Sequence, residues 1–285
     1  MHIRNPVEWG VDQLKSAGTA IESMGRARRR VHDLPRPTVR HIALTDLRDA
    51  LARGLDDFAA FRTDVAFLCV IYPLVGLVLA RLAFGYDMLP LLFPLASGFA
   101  LIGPVAAVGL YEMSRRREAG AEVSWADAFG VFRAPAIGAI VRFGLLLMAI
   151  FLIWLSVAIA IYDLTLGPAP PASIAGFARD LFWTDAGWTL IAVGNGVGFL
   201  FAVFVLAISV VSVPLLLDRE VGVATAIGTS LRAVAANPVP MAVWGLIVAA
   251  GLVVGSIPLF LGLIVVMPVL GHATWHLYRR VVVSE

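Results

Sequence analysis

Residues 239–278 form a run of 40 positions without one Asp, Glu, Lys or Arg. No other stretch limits the fold so strongly. A single helix of that length would measure about 60 Å, twice the hydrocarbon thickness of a bilayer. The run is therefore read as two spans. Gly255, Ser256 and Pro258 supply turn chemistry near its centre and set the break at residues 255–258. Inside hydrocarbon the backbone must satisfy its own polar groups, so helices are the expected elements.

Four more apolar runs precede it. Residues 65–84 reach spanning length only if Arg81 snorkels to the surface. Residues 88–111 are long enough despite Pro90, Pro94 and Pro104, and residues 143–162 are uninterrupted. The fourth run starts at Trp188 and is expected to end near Pro214. The reading is an all-α polytopic membrane protein with six transmembrane helices in three hairpins, at about 65–84, 88–111, 143–162, 188–212, 239–255 and 258–278. The composition agrees: 60% hydrophobic and 15% charged residues, with a mean hydropathy of +0.87, lie far from a soluble domain.

Charge sets the orientation. With the N-terminus inside, residues 1–64, 112–142, 218–238 and 279–285 hold 20 of the 22 Lys and Arg, and only Arg81 and Arg179 fall outside. That asymmetry places both termini in the cytoplasm. Residues 1–40 read as a basic cytoplasmic arm. Within it, residues 6–24 can form an amphipathic helix with Val7, Val11, Leu14 and Ile21 on one face. No apolar h-region opens the sequence, so no cleaved leader is expected. Residues 41–282 read as the membrane domain. Arg28, Arg29, Arg30, Arg115, Arg116, Arg117, Arg279 and Arg280 are assigned to topology or to anionic lipid headgroups at the cytoplasmic face.

An amphipathic segment precedes spans one, three and five. Ala50-Leu51, Ala128-Phe129 and Ala226-Ile227 occupy like positions in the three, and residues 104–116 and 268–280 share their spacing of Pro, aromatic and paired Arg. Three copies of one unit are the expectation: a cytoplasmic interfacial helix, a span out and a span back. In the first copy Thr45 is expected as N-cap, with Asp46 and Asp49 in the first turn. Leu47, Leu51, Leu55, Phe58 and Phe61 form its apolar stripe, and Arg48, Arg53, Asp56 and Asp57 fall mostly elsewhere. The long outer loop, residues 163–187, is turn-like at first and then helical near residues 177–185, with Phe182 and Trp183 at the interface.

Few residues carry chemistry. His272 and His276 are four apart and share a helix face. Such a pair can hold a metal or sit beside a haem, or belong to an interfacial belt with Trp275 and Tyr278. Asn195 lies among Gly194, Gly196 and Gly198 within span four. It calls for a partner across a helix interface, or it lines a polar path. Glu112 faces the Arg115–Arg117 cluster, and Arg142 opens span three and can snorkel inward. The sequence shows no phosphate loop, no Cys pair beyond the lone Cys69 and no Ser/His/Asp grouping. No cofactor is expected.

Several segments are nonetheless distinctive: LTDLRDALARGLDDF, IYPLVGLVLA, LLFPLASGFALIGPVAAVGLYEMSRRRE, SWADAF and VVMPVLGHATWHLYRR. On these the chain resembles the bacterial integral-membrane family known as domain of unknown function 2189, over residues 40–282. The resemblance implies several spans in an inner membrane and no activity or residue role. The leading expectation is a non-enzymatic protein that acts through assembly with lipid or protein partners, in homo-oligomers or with another membrane protein, and not with nucleic acid. The alternatives are a small-solute transporter or channel and a haem- or metal-binding subunit using His272 and His276.

Overall fold

The structure, a computed structural model, describes residues 37–69, 74, 76–78, 81 and 89–283. Residues 1–36 of the basic arm, with Arg28, Arg29 and Arg30 and the expected amphipathic helix, and half of the expected first span lie outside the described residues.

The described residues are helical throughout, with no strand and one isolated bridge. Helix α1 spans Leu44–Cys69. The expected Thr45 cap is corrected: Thr45 lies inside the helix, and Asp46 reaches back to accept the Ala43 N–H at 2.9 Å. After a 3₁₀ turn at Leu89–Leu91 come α2 (Leu92–Ala106) and α3 (Val108–Glu118), separated at Ala107 three residues beyond Pro104. A second 3₁₀ segment, Trp125–Arg133, leads into α4 (Ile137–Thr165). Helix α5 (Ile174–Trp183) lies in the long loop, where a helix was expected, with Phe182 and Trp183 exposed. Thr184 ends it and caps α6 (Asp185–Ser209), accepting the Gly187 N–H at 3.0 Å.

Pro214 does not end the fourth run. The helix breaks earlier, at residues 210–211, and resumes as α7 (Ser212–Asp218). The proline ring displaces the carbonyl four residues upstream, at Val210, so the break precedes the proline instead of following it. Helices α8 (Val223–Ala236), α9 (Pro238–Ser256) and α10 (Leu263–Val281) complete the chain. The 239–278 run is divided as expected, but by a turn over residues 257–262, in which Leu259 and Phe260 take φ of 52° and 65°. Gly255 and Gly262 close that turn. A Cβ on Gly262 would lie 2.8 Å from the Gly255 Cα, so neither position has room for a side chain.

Among the described residues three helical stretches are long and apolar enough to cross a membrane: Ile137–Thr165, Asp185–Asp218 and Pro238–Ser256. Helix α4 shows how they pack. Ile140, Phe143, Leu147, Ile150, Trp154, Ala158 and Tyr162 recur every three or four residues and are buried. Between Phe143 and Tyr162 most of the remaining surface, including Leu145, Leu152 and Ile153, is apolar and exposed. A helix apolar all round with one face inside the chain needs an apolar solvent on the other.

Burial is denser at the end where the arginines gather. There α10 is covered almost completely from Gly271 to Tyr278. Val39 and Val282 form the antiparallel bridge that ties the two ends of the described chain together, with Arg40 N–H to Val281 O and Val283 N–H to Thr38 O both at 3.0 Å. Asn237 holds the same corner. Its Oδ1 accepts the Ile42 N–H at 2.8 Å, and its Nδ2 donates to the Arg40 and Ala233 carbonyls. The small residue of each proposed repeat faces inward: Ala50 and Ala226 are fully buried, and Ala128 packs against Gly109.

Candidate functional site: a sealed polar junction

The site begins with a glycine. On α1, Leu47, Ala50, Gly54, Asp57 and Phe61 follow one another at spacings of three and four and share a face. Gly54 lies so close to α10 that a Cβ there would sit 2.6 Å from the Ala273 nitrogen and 2.7 Å from its Cβ. This approach brings Asp57, one turn further on, against the neighbouring His272 and His276. Helix α3 supplies the third wall with Ser114 and Arg117.

Asp57 is the hub. Its Oδ2 accepts from Ser114 Oγ at 2.6 Å and from His276 Nε2 at 2.9 Å, and its Oδ1 pairs with Arg117 Nη1 at 2.5 Å. Ser114 Oγ also lies 2.8 Å from His272 Nδ1. The hydroxyl has one proton. It donates that proton to the ionised carboxylate, and so accepts from His272, whose proton is thereby assigned to Nδ1. Burial alone would raise the Asp57 pKa, but the hydrogen bonds from His276 and Ser114 outweigh it and hold the carboxyl below the ordinary aspartate value. His272 Nε2 is buried and has no hydrogen-bond partner among the described residues.

Charge pairing continues outward from this hub. Glu112 takes Arg115 at 2.7 Å and Arg116 at 2.6 Å, and those hydrogen bonds overcome its burial to lower its pKa. Arg116 also pairs with Asp127, whose pKa is lowered mainly by the Ser124 backbone N–H. Glu118 accepts from Trp275 Nε1 at 3.0 Å and from Arg279 at 3.1 Å. Asp218 accepts the Tyr278 hydroxyl at 2.6 Å. Arg280 spans Asp46 and Asp49, each at 3.1 Å.

These contacts show where several of the expected residues lie. Arg115, Arg116, Arg117, Arg279 and Arg280, assigned to topology or to anionic headgroups, are each engaged with carboxylates of their own chain. His272 and His276 do lie together, but their hydrogen bonds run to Ser114 and Asp57. Among the described residues no group of three or more His, Cys, Asp or Glu is arranged to hold a metal ion. Asn195 is exposed on α6 and donates to the Ile191 carbonyl of its own helix at 2.8 Å. The expected partner across a helix interface is absent among the described residues.

Ser, His and Asp do come together here, which the sequence reading did not foresee. The arrangement is not a nucleophile relay, because Asp57 binds the serine and His276, not the far nitrogen of His272. Ser114 and His272 have no solvent exposure. The junction joins three helices.

Asp57 and Ser114 were missed, Asp57 because its register was judged from the larger apolar residues. The available signal was the small-residue stripe Ala50, Gly54 in phase with it.

Residues 92–218 match the model of a family described as predicted integral membrane protein, domain of unknown function 2189. The resemblance read from the motifs is shown over that segment, which includes α2 to α7. No curated protein and no solved structure matches the chain.

Proposed function

We propose, from the match to a family of predicted integral membrane proteins, that the chain crosses a bacterial inner membrane six times with its arginine-rich end in the cytoplasm, and that it acts without catalysis, through assembly with lipid or protein partners. The six crossings are those expected from the apolar runs. The segments ahead of spans one, three and five lie at the cytoplasmic interface.

One observation supports this reading best. Asp57, Glu112, Glu118 and Asp127 at the arginine-rich end are paired with arginines of the same chain, while the exposed helix faces are largely apolar, as on α4 and on α6 at Phe199, Leu200, Val203 and Phe204. A surface of that kind is suited to lipid or to another membrane helix.

Two measurements test the proposal. Reporter fusions at Gly120 and Gly222 are expected to read cytoplasmic, and fusions at Gly167 and Ser256 periplasmic. A cytoplasmic signal at Ser256 overturns the six-span topology. Purification in mild detergent is expected to retain defined protein or lipid partners. A partner-free chain that moves solute in liposomes overturns the assembly role.

A further inference from the structure

Arg115, Arg116, Arg117, Arg279 and Arg280 are engaged with carboxylates, and another basic surface is left. The 3₁₀ segment Trp125–Arg133 turns once every three residues, so positions three apart share a face. Ala128 packs on Gly109, with its Cβ 3.1 Å from where a Gly109 Cβ would be, and Val131 is 2% exposed. The next face is turned away from the chain: Phe129 is 49% and Phe132 70% exposed, and their rings stack at 6.3 Å. The Ser124–Asp127 capping box and the Arg116–Asp127 pair hold the segment in this rotation.

Two exposed cations follow these rings in the chain. Arg133 follows Phe132 directly and is exposed. Arg142 is exposed on α4 between Val141 and Leu145, which are 50% and 64% exposed. Its guanidinium lies back over Gly138, with Nη1 3.7 Å from where a Cβ would be, so the side chain runs toward the helix N-terminus. Neither arginine has an acidic partner among the described residues. An arginine on an apolar outer face is costly in hydrocarbon and tolerable when it reaches phosphate at the interface.

We propose that Phe129, Phe132, Arg133 and Arg142 form a docking surface for anionic phospholipid: the rings enter the acyl boundary and the guanidiniums bind the headgroup phosphate. This rests on the reading of the chain as membrane-spanning. Charge and apolarity side by side select a lipid over a soluble anion, which has no use for the rings. The surface also fixes the depth of α4, because Arg142 must stay at headgroup level.

The test places the full chain in nanodiscs of equimolar phosphatidylcholine and phosphatidylglycerol, then measures by native mass spectrometry the lipids retained after detergent release. The wild-type chain is expected to keep phosphatidylglycerol preferentially, by about five-fold for each arginine. Raising the salt concentration should erode that preference. R133Q/R142Q should abolish most of it, R133K/R142K should keep it, and R179Q should leave it unchanged. An unaltered preference in R133Q/R142Q, or one insensitive to salt in the wild-type chain, overturns the proposal. The salt series needs no variant, so a variant that fails to fold does not shield the proposal. Entry into nanodiscs without lipid preference sinks only the docking surface, whereas failure to enter them sinks the membrane-spanning reading as well.

Discussion

Gly54 and Ala273 meet at a distance that no side chain at position 54 could allow: a Cβ there would lie 2.6 Å from the Ala273 nitrogen. Replacing Gly54 with Ala removes a glycine from a helix interior, worth about 1 kcal/mol in favour of the folded state. It also forces the methyl into backbone, and overpacking of that kind costs about 1–3 kcal/mol. Because α1 and α10 must separate along their whole contact, the loss should win. Gly54→Ala is expected to lower the thermal unfolding midpoint in detergent. Gly228→Ala, on α8 with nothing within 4 Å of the added Cβ, is expected to raise it. Equal shifts for the two would refute the close crossing.

Asp57 joins three helices, and Asp57→Asn leaves a group of the same shape without the charge. The amide cannot accept from Ser114, His276 and Arg117 together. A loss of about 2 kcal/mol is expected, since hydrogen bonds to a charged group are stronger than neutral ones. Arg117→Gln should cost less, because its side chain is 40% exposed and water can replace part of the pair. A double-mutant cycle in denaturant would measure the coupling. Additive losses would argue that the two residues do not interact.

Acid should weaken the fold from a predictable point. Asp57 and Glu112 have pKa values in the folded chain below their ordinary 3.8 and 4.5. A lowered carboxyl contributes stability that is fully present above its unfolded pKa and disappears as pH falls through its folded pKa. Unfolding midpoints from these groups should therefore hold steady down to the ordinary carboxyl range and decline below it. The D57N/E112Q chain should start from a lower midpoint and show a shallower acid decline. An identical acid limb in both chains would contradict the assignment.

His272 and His276 each direct one ring nitrogen to Ser114 and Asp57, and the other nitrogen of His272 is buried away from solvent. Purified protein is expected to show neither a Soret band nor stoichiometric metal. His276→Ala is expected to destabilise the chain without changing its spectrum. A Soret band lost in His276→Ala would reverse this reading.

Asn195 satisfies one of its polar groups on its own helix and faces outward. Asn195→Leu should therefore leave the unfolding midpoint unchanged or raise it, and leave the detergent-solubilised mass unchanged. A loss of about 1 kcal/mol or more would reveal a partner in a second chain, since interhelical hydrogen bonds in membranes are worth about that much.

Much of the fold was legible because it depends on local chemistry. The apolar runs predicted α4, α6 and α9, and Gly255 and Pro258 predicted the division of the last run. The outer helix ending at Phe182 and Trp183 was also foreseen. The polar junction was not. On α1 the stripe of Leu47, Leu51, Leu55 and Phe58 and the stripe of Leu47, Ala50, Gly54 and Asp57 are neighbours on one helix, and size favours the first. The structure buries the second and leaves Leu55 54% exposed. Close packing of backbones selected the small residues over the large ones, and helical periodicity carries no information about the partner's shape.

What the sequence determined by itself was the class of molecule: apolar runs too long for a soluble core, an asymmetric distribution of arginine, and turns placed by Gly and Pro. These follow from the length of a helix, the thickness of hydrocarbon and the cost of charge within it. Which arginines are paired, and which are left for the surroundings, was decided only by tertiary structure. Arg117 and Arg133 look alike in the sequence. One meets Asp57 from a helix 60 positions away, and the other stands beside an exposed phenylalanine. Ion pairing depends on distances between elements, and those distances are set by the contact of Gly54 with Ala273.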